Sequence, residues 1–210
     1  MFEYLESLFV NLKNEKSDIN EHLETLKKLA SECDTVIEFG VRWMVSIIAL
    51  AVSGCKNLYG YDTTNPAGFD PYRFEQLKNY CERNNINFYL NEVNVLNLKT
   101  IPQCDMLFLD TYHSYLQLKC ELFLFSDKVK KYIVMHDTFS FSASDECYIS
   151  RESWFDVCKD NTEILKIVDI KSEKSGLTSA IEEFLESHPE WEVFEKYTNN
   201  NGLTILKRNS

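Results

Sequence analysis

Two kinds of segment alternate along most of the chain. Short apolar runs, typical of β-strands, are separated by longer segments whose apolar positions recur at helical spacing. The pattern predicts strands at 35–39, 57–61, 87–91, 105–109 and 132–136, and helices between them at 44–53, 71–83 and 114–127. Such alternation is typical of a parallel sheet with helices on both faces.

The two ends of the chain extend this pattern. Residues 2–12 and 18–32 predict N-terminal helices, the second with Asp18 as its N-cap, and 179–187 predicts a C-terminal helix. Strands are predicted at 191–197 and 203–207, joined by an Asn-Gly turn that favours a hairpin. The predicted fold is therefore α/β and Rossmann-like: a doubly wound, mostly parallel seven-stranded sheet with an antiparallel C-terminal hairpin strand.

No linker divides the 210 residues, so we predict a single domain. Its parts are N-terminal helices (1–33), a ligand-binding core (34–138), and a C-terminal helix with the hairpin (164–210). Between the last two, residues 139–163 hold serines, aromatics and charges without a clear period and with one short helix at 151–159. We expect this segment to form a lid.

Charge and cysteine usage narrow the partners and the compartment. The net charge of −11 argues against a nucleic-acid partner, which leaves small molecules, carbohydrates among them. Seven scattered cysteines without a C-x-x-C pair indicate reduced thiols, and the longest apolar stretch, 45–52, is too short to span a membrane. We expect a cytoplasmic protein without a membrane partner. Homo-oligomerisation is left open.

Candidate binding residues follow the first two predicted strands. Glu38 and Gly40 end the first, and Asp62 ends the second. Ligands of open α/β sheets bind at the carboxyl ends of strands, where a carboxylate such as Asp62 can accept both hydroxyls of a ribose. The alternatives are a solvated acid for Glu38 and a turn cap for Asp62.

Two further acids, Asp110 and Asp137, end the adjacent central strands. Convergent carboxylates there suit a hard ion such as Mg²⁺, although His136 beside them is a less natural ligand. The alternative is two unrelated strand-end acids. His113 stands nearby, with an ordinary pKa near neutrality, as a candidate general base. It could equally cap the following helix.

The motifs around these residues resemble those of class I S-adenosylmethionine-dependent methyltransferases. The resemblance is to the branch of cephalosporin hydroxylase-like proteins and small sugar or antibiotic O-methyltransferases. It rests on Glu38-Phe39-Gly40, on Asp62, on the D-x-x-H-x-Y pattern from Asp110, on H-D-T from His136, and on the ending 201–208. It covers 34–138 and 176–208.

The resemblance implies S-adenosylmethionine as cofactor and O-methylation of a small polar acceptor, with a sugar or glycoside preferred. It assigns catalytic roles to His113, His136 and Asp137. Glu38 would approach the amino group of the methionine moiety, and Asn94 would lie beside the adenine, unless it is a turn residue. The full set of implied cofactor contacts is Glu38, Phe39, Gly40, Ser46, Asp62, Thr63, Asn94 and Asp110. Four aromatic residues are candidates for an acceptor pocket or for the core: Trp43, Trp154, Phe139 and Phe141.

One position departs from the family pattern. Met44 replaces the second glycine of E-x-G-x-x-x-G-x-S, whereas Ser46 is kept. Glycine lets the backbone approach a ligand closely, so the alternative function is a non-catalytic binding or assembly protein that retains the fold. An NAD-dependent oxidoreductase is disfavoured because G-x-G-x-x-G is missing after the first strand.

Overall fold

The computed structural model describes residues 4–147, 149–169 and 171–209. Seven strands form one sheet: β1 Thr35–Phe39, β2 Asn57–Asp62, β3 Asn87–Glu92, β4 Cys104–Leu109, β5 Val129–His136, β6 Trp191–Tyr197 and β7 Leu203–Arg208. Their order is β3-β2-β1-β4-β5-β7-β6. Strands β1 to β5 pair in parallel, and β7 runs antiparallel to β5 and β6. The predicted fold class is confirmed.

Helices cover both faces of this sheet. They are α1 Tyr4–Asn14, α2 Leu23–Ala30, α3 Val45–Ala51, α4 Pro66–Phe69, α5 Pro71–Arg83, α6 Tyr115–Phe125, α7 Arg151–Cys158, α8 Thr162–Ile167 and α9 Gly176–Ser187. Buried side chains of α1, α2, α3 and α5 share one core cluster, and those of α6 to α9 share the other. Successive residues of β1 face opposite ways, so Val36 joins the first cluster and Ile37 the second.

The central position of β4 and β5 follows from their composition. Residues 106–109 and 132–135 are continuously apolar and buried, as strands covered on both faces must be. β1 pairs with β2 on one side and with β4 on the other, so the strand order reverses beside β1. The segments that follow β1, β2 and β4 therefore meet at one edge of the sheet.

Helices begin directly after residues whose side chains cap them, and the structure corrects one predicted helix start. Asp70 accepts from the Arg73 backbone N–H at 2.9 Å and Pro71 begins α5, as predicted. The predicted helix 18–32 is instead a 3-10 turn, Asn20–His22, followed by α2, and Ser17 rather than Asp18 accepts from the Asn20 N–H. Residues 2 and 3 of the predicted first helix lie outside the described residues. Two short helices, α4 and α8, were not predicted.

The C-terminal hairpin closes against the end of β5. Asn200, Asn201 and Gly202 all have positive φ, which is the backbone conformation that favours asparagine and glycine. The Asn201 carbonyl accepts from the N–H groups of Phe139 and Ser140 at 2.9 and 3.0 Å. The hairpin thus fixes the chain where it leaves β5. Among the described helices, none combines the length and apolar character needed to cross a membrane.

Candidate active site

A cavity of about 540 Å³ opens at the carboxyl ends of the parallel strands. Eight of the eleven predicted site residues line it: Gly40, Ser46, Asp62, Thr63, Asn94, Asp110, His113 and Asp137. The side chains of Glu38, Phe39 and His136 lie behind this lining and are buried. Two of the four candidate aromatics, Trp43 and Trp154, also line the cavity, whereas Phe139 and Phe141 do not.

Gly40 brings the turn after β1 against the end of β4. Its φ is +86°, and a Cβ at this position would lie 1.9 Å from the Asp110 carbonyl oxygen. Its N–H donates to the Tyr61 carbonyl at 2.8 Å, which joins the turn to β2. Only glycine allows the two strand ends to approach this closely.

Met44 occupies a backbone conformation that favours glycine. Its φ is +59°, yet its side chain is fully buried in the core with residues of α3. The side chain does not line the cavity. Methionine here strains the backbone and leaves the ligand space open. The sequence feature that motivated the non-catalytic alternative therefore does not obstruct the site.

Glu38 is buried below the turn and not exposed in the cavity. Ser46 Oγ donates to its Oε1, while Oε2 makes no hydrogen bond with the described residues. Burial raises the pKa of this carboxyl well above its usual range, against the opposing effect of the Ser46 hydrogen bond. Phe39 packs edge-to-face against Tyr61 and Phe125 in the core. Of Glu38, Phe39 and Ser46, Ser46 alone lines the cavity.

The carboxylate of Asp62 accepts hydrogen bonds from two loops. Oδ2 accepts from the N–H groups of Val41 and Arg42 at 2.9 and 2.8 Å, and Oδ1 accepts from the N–H and the hydroxyl of Thr64 at 2.9 and 2.8 Å. These bonds occupy about four acceptor positions, the full capacity of a carboxylate. A ribose that binds here must replace one of them, and the Thr64 hydroxyl can rotate away.

Two other predicted contacts lie along the same wall. Thr63 is exposed in the cavity beside Asp62. Asn94 Oδ1 accepts from the Leu96 N–H at 2.9 Å and so caps the turn Val95–Asn97. Asn94 is therefore both a turn residue and a lining residue, so its two predicted roles are compatible.

The acids after β4 and β5 surround two imidazole rings. His113 Nε2 lies 2.9 Å from Asp137 Oδ2 and 3.4 Å from Asp110 Oδ1, and His113 Nδ1 lies 3.0 Å from Glu146 Oε2. His136 Nδ1 lies 3.0 Å from the same Asp137 oxygen, and its Nε2 bonds the Asn200 carbonyl at 3.1 Å. Asp110 and Asp137 thus converge, as predicted from their places in the sheet.

This arrangement changes the protonation of both histidines. Burial alone would lower the pKa of His113, but hydrogen bonds to Asp110 and Asp137 outweigh it and raise the pKa to about 10. The same balance raises the pKa of His136 to about 10. Burial would raise the pKa of Asp137, yet bonds from the two histidines lower it below its usual range. The expected near-neutral pKa of His113 is wrong because carboxylates surround its ring.

Ligand atoms of Asp110, His113 and Asp137 lie within 4.8 Å of one another. Two carboxylates in this geometry fit a divalent ion that prefers oxygen ligands. The imidazole between them fits less well because it is protonated at neutral pH. The donor set is thus compatible with Mg²⁺ held by the acids.

Sequence reasoning missed two contributors to the site. Glu146 comes from the segment without periodicity, and its backbone N–H donates to the His113 carbonyl at 2.8 Å. Arg42 lines the cavity two residues after Gly40. Arg42 could have been predicted, because it is a cation close in sequence to the glycine turn. No local pattern places Glu146 on His113, because 33 residues separate them.

Comparison with solved structures shows which known fold this sheet resembles. No family model and no curated protein matches the sequence. The O-methyltransferase TomG from Streptomyces achromogenes, solved with S-adenosylmethionine, matches with TM-score 0.58 and 11% identity, over 100% of this chain and 92% of that one. The chain has the class I methyltransferase fold.

Two more methyltransferase structures have similar arrangements. An O-methyltransferase from Bacillus cereus, in complex with S-adenosylhomocysteine, matches with TM-score 0.57 and 12% identity, over 100% and 92% of the two chains. The N-methyltransferase NodS from Bradyrhizobium japonicum matches with TM-score 0.54 and 13% identity, over 94% and 99%. The similarity to methyltransferase structures thus covers between 94 and 100% of the chain.

Proposed function

We propose that the protein is an S-adenosylmethionine-dependent O-methyltransferase acting on a small polar acceptor. One observation carries this proposal: eight residues assigned from the family motifs line a single cavity at the strand ends of a methyltransferase fold. The sequence resemblance favours a sugar or glycoside as the acceptor. Fold alone does not establish activity, so the proposal rests on this convergence.

The cofactor would extend along the wall formed by the ends of β1, β2 and β3. Asp62 and Thr63 would contact the ribose, Asn94 the adenine, and the Gly40 turn the methionine moiety. Arg42 supplies the cation that the cofactor carboxylate needs, and Ser46 stands between the cavity and Glu38. The methyl group would then face Asp110 and His113.

Asp62→Ala should weaken S-adenosylmethionine binding at least tenfold, since it removes the ribose acceptor and frees the Val41 and Arg42 N–H groups. Isothermal calorimetry measures the affinity. Thr64→Ala is the matched control, because it removes one bond to Asp62 but keeps the carboxylate. Equal affinity of Asp62→Ala and wild type would remove Asp62 from the site.

Methyl transfer needs an aligned acceptor and a base. The acceptor oxygen bonds to the methyl carbon as the carbon–sulfur bond breaks, and the hydroxyl proton must leave. We assign that proton to His113 Nε2. Nε2 must first release its own proton to solvent, which the positive sulfonium of the bound cofactor favours by charge repulsion. Glu146, bonded to Nδ1, would orient the ring, and Asp137, with His136 beside it, would balance the charge of the ring once Nε2 has taken the proton.

Mg²⁺ would be held by Asp110 and Asp137. When bound there, it would lower the pKa of an acceptor hydroxyl. We expect excess EDTA to suppress turnover and added Mg²⁺ to restore it. The affinity for S-adenosylmethionine, measured in the same buffers, is the control and should not change. Full turnover in EDTA would leave the two acids with positioning and charge roles alone.

Segment 139–163 would act as a lid that two hydrogen-bonded contacts hold closed. The Glu146 carboxylate bonds His113, and the Tyr112 hydroxyl donates to the Glu146 carbonyl at 2.5 Å. Hydrogen exchange of this segment should slow when cofactor and acceptor are both bound, since lids exclude water from reacting atoms. Helix α2, in the other core cluster, serves as the internal reference. Identical exchange with and without ligands would contradict a lid role.

A further inference from the structure

The mouth of the cavity carries several large apolar side chains. Four large side chains that line it are between 43 and 57% exposed: Trp43, Phe69, Ile149 and Val157. The rings of Trp43 and Phe69 lie 4.8 Å apart with planes tilted by 57°. Exposed apolar side chains within a concave site gain free energy when a ligand covers them.

Separate hydrogen bonds hold the two segments that carry these side chains. The Arg73 guanidinium donates to the Trp43 carbonyl at 2.7 Å, which fixes the turn that carries Trp43. A second segment, α7, contributes Val157 and Trp154 to the cavity lining, and Trp154 Nε1 donates to Gln117 Oε1 at 2.9 Å. Large apolar side chains from both segments therefore line the cavity, and an aromatic ring can pack against them.

The charges within the cavity are mainly negative. Two cations line it, Arg42 and His113, against five carboxylates: Asp18, Asp62, Asp110, Asp137 and Glu146. Four of these carboxylates are already bonded within the protein. Asp18 is exposed at the cavity and makes no side-chain hydrogen bond or ion pair with the described residues. An anionic ligand would be repelled, and a cationic one attracted, by this surplus.

We propose that the acceptor is a hydroxylated amine with an aromatic ring, and that the protein rejects acceptors bearing carboxylate or phosphate. Trp43 and Phe69 contact the ring, and Asp18 receives the amine. The inference rests on the proposed function, because it concerns the acceptor of that same site. A glycoside meets these requirements only when its aglycone is aromatic and it carries an amine.

Three probes of one phenolic scaffold test the charge selection: tyramine, 4-ethylphenol and 4-hydroxyphenylacetate. Each is titrated by calorimetry into the full chain saturated with S-adenosylhomocysteine. Tyramine should bind at least tenfold more tightly than 4-hydroxyphenylacetate, with 4-ethylphenol between them, since one charge at a partly screened site produces an effect of this order.

Variants separate the ring contact from the charge contact. Trp43→Ala should weaken all three probes, whereas Asp18→Asn should narrow the gap between tyramine and 4-hydroxyphenylacetate. Phe194→Ala and Asp127→Asn are the matched controls, an exposed aromatic residue and an exposed acid away from the cavity lining. Neither control should change the ratio.

Two results would overturn the inference while the proposed function stands. They are equal or tighter binding of 4-hydroxyphenylacetate, and no binding of tyramine to a chain that binds S-adenosylhomocysteine. S-adenosylhomocysteine is therefore titrated first. Failure of that first titration would contradict the proposed function itself, and the acceptor inference with it.

Discussion

His113→Ala should lower the rate of methyl transfer roughly 10²–10⁴-fold, since it removes a positioned base. The affinity for S-adenosylmethionine should stay within about threefold of wild type, because the ribose and methionine contacts are untouched. Single-turnover kinetics measures the chemical step, and calorimetry measures the binding. His188→Ala, a substitution outside the cavity lining, is the matched control.

The pH dependence of the rate distinguishes a base from a positioning residue. At neutral pH the raised pKa of about 10 keeps the His113 ring protonated. The unprotonated fraction grows tenfold per pH unit below the pKa, so the wild-type rate should rise between pH 6 and 9. His113→Ala should lose this rise. A wild-type rate that is flat over this range, or a variant that keeps the slope, would contradict the assignment of His113 as base.

Gly40→Ala should have the largest effect on the fold and on cofactor binding together. Its Cβ would lie 1.9 Å from the Asp110 carbonyl oxygen, so the ends of β1 and β4 would have to separate. The positive φ adds about 1–2 kcal/mol for a residue with a Cβ, and forced overpacking typically adds 1–3 kcal/mol. Urea unfolding should show a loss of roughly 2–5 kcal/mol in the free energy of unfolding.

Gly54→Ala separates the contribution of the positive φ from that of overpacking. Gly54 has nearly the same φ, +85°, but a Cβ there would meet no atom within 4 Å. It should lose only the φ contribution, about 1–2 kcal/mol, and should bind S-adenosylmethionine normally. Equal losses of unfolding free energy in the two variants would mean that the turn at Gly40 accommodates a Cβ without separating the ends of β1 and β4.

Local signals in the sequence were sufficient for the sheet. Continuous apolar runs predicted β4 and β5 as central strands, and the Asp70-Pro71 pair predicted the start of α5. The same signature at Asn65-Pro66, where Asn65 accepts from the Ala67 N–H, caps α4, which was not predicted. A four-residue helix has too few apolar positions to show a period.

The interior of the site depends on side-chain directions that a sequence does not display. Met44 in place of glycine suggested that the backbone cannot approach a ligand closely, yet Met44 keeps a positive φ and its side chain is buried in the core. The fourfold hydrogen bonding of Asp62 and the distant Glu146 beside His113 arise from tertiary contacts. The pKa of His113 follows from those contacts and not from its position in a motif.

Thermal unfolding with and without S-adenosylmethionine tests the central claim most directly. A ligand that binds only the folded chain adds RT ln(1 + [L]/Kd) to its stability, so about 2.7 kcal/mol is expected at a hundredfold excess over Kd. We predict a rise of several degrees in Tm with S-adenosylmethionine and none with NAD⁺ at the same concentration. An unchanged Tm at millimolar S-adenosylmethionine, or a larger shift with NAD⁺, would contradict the account.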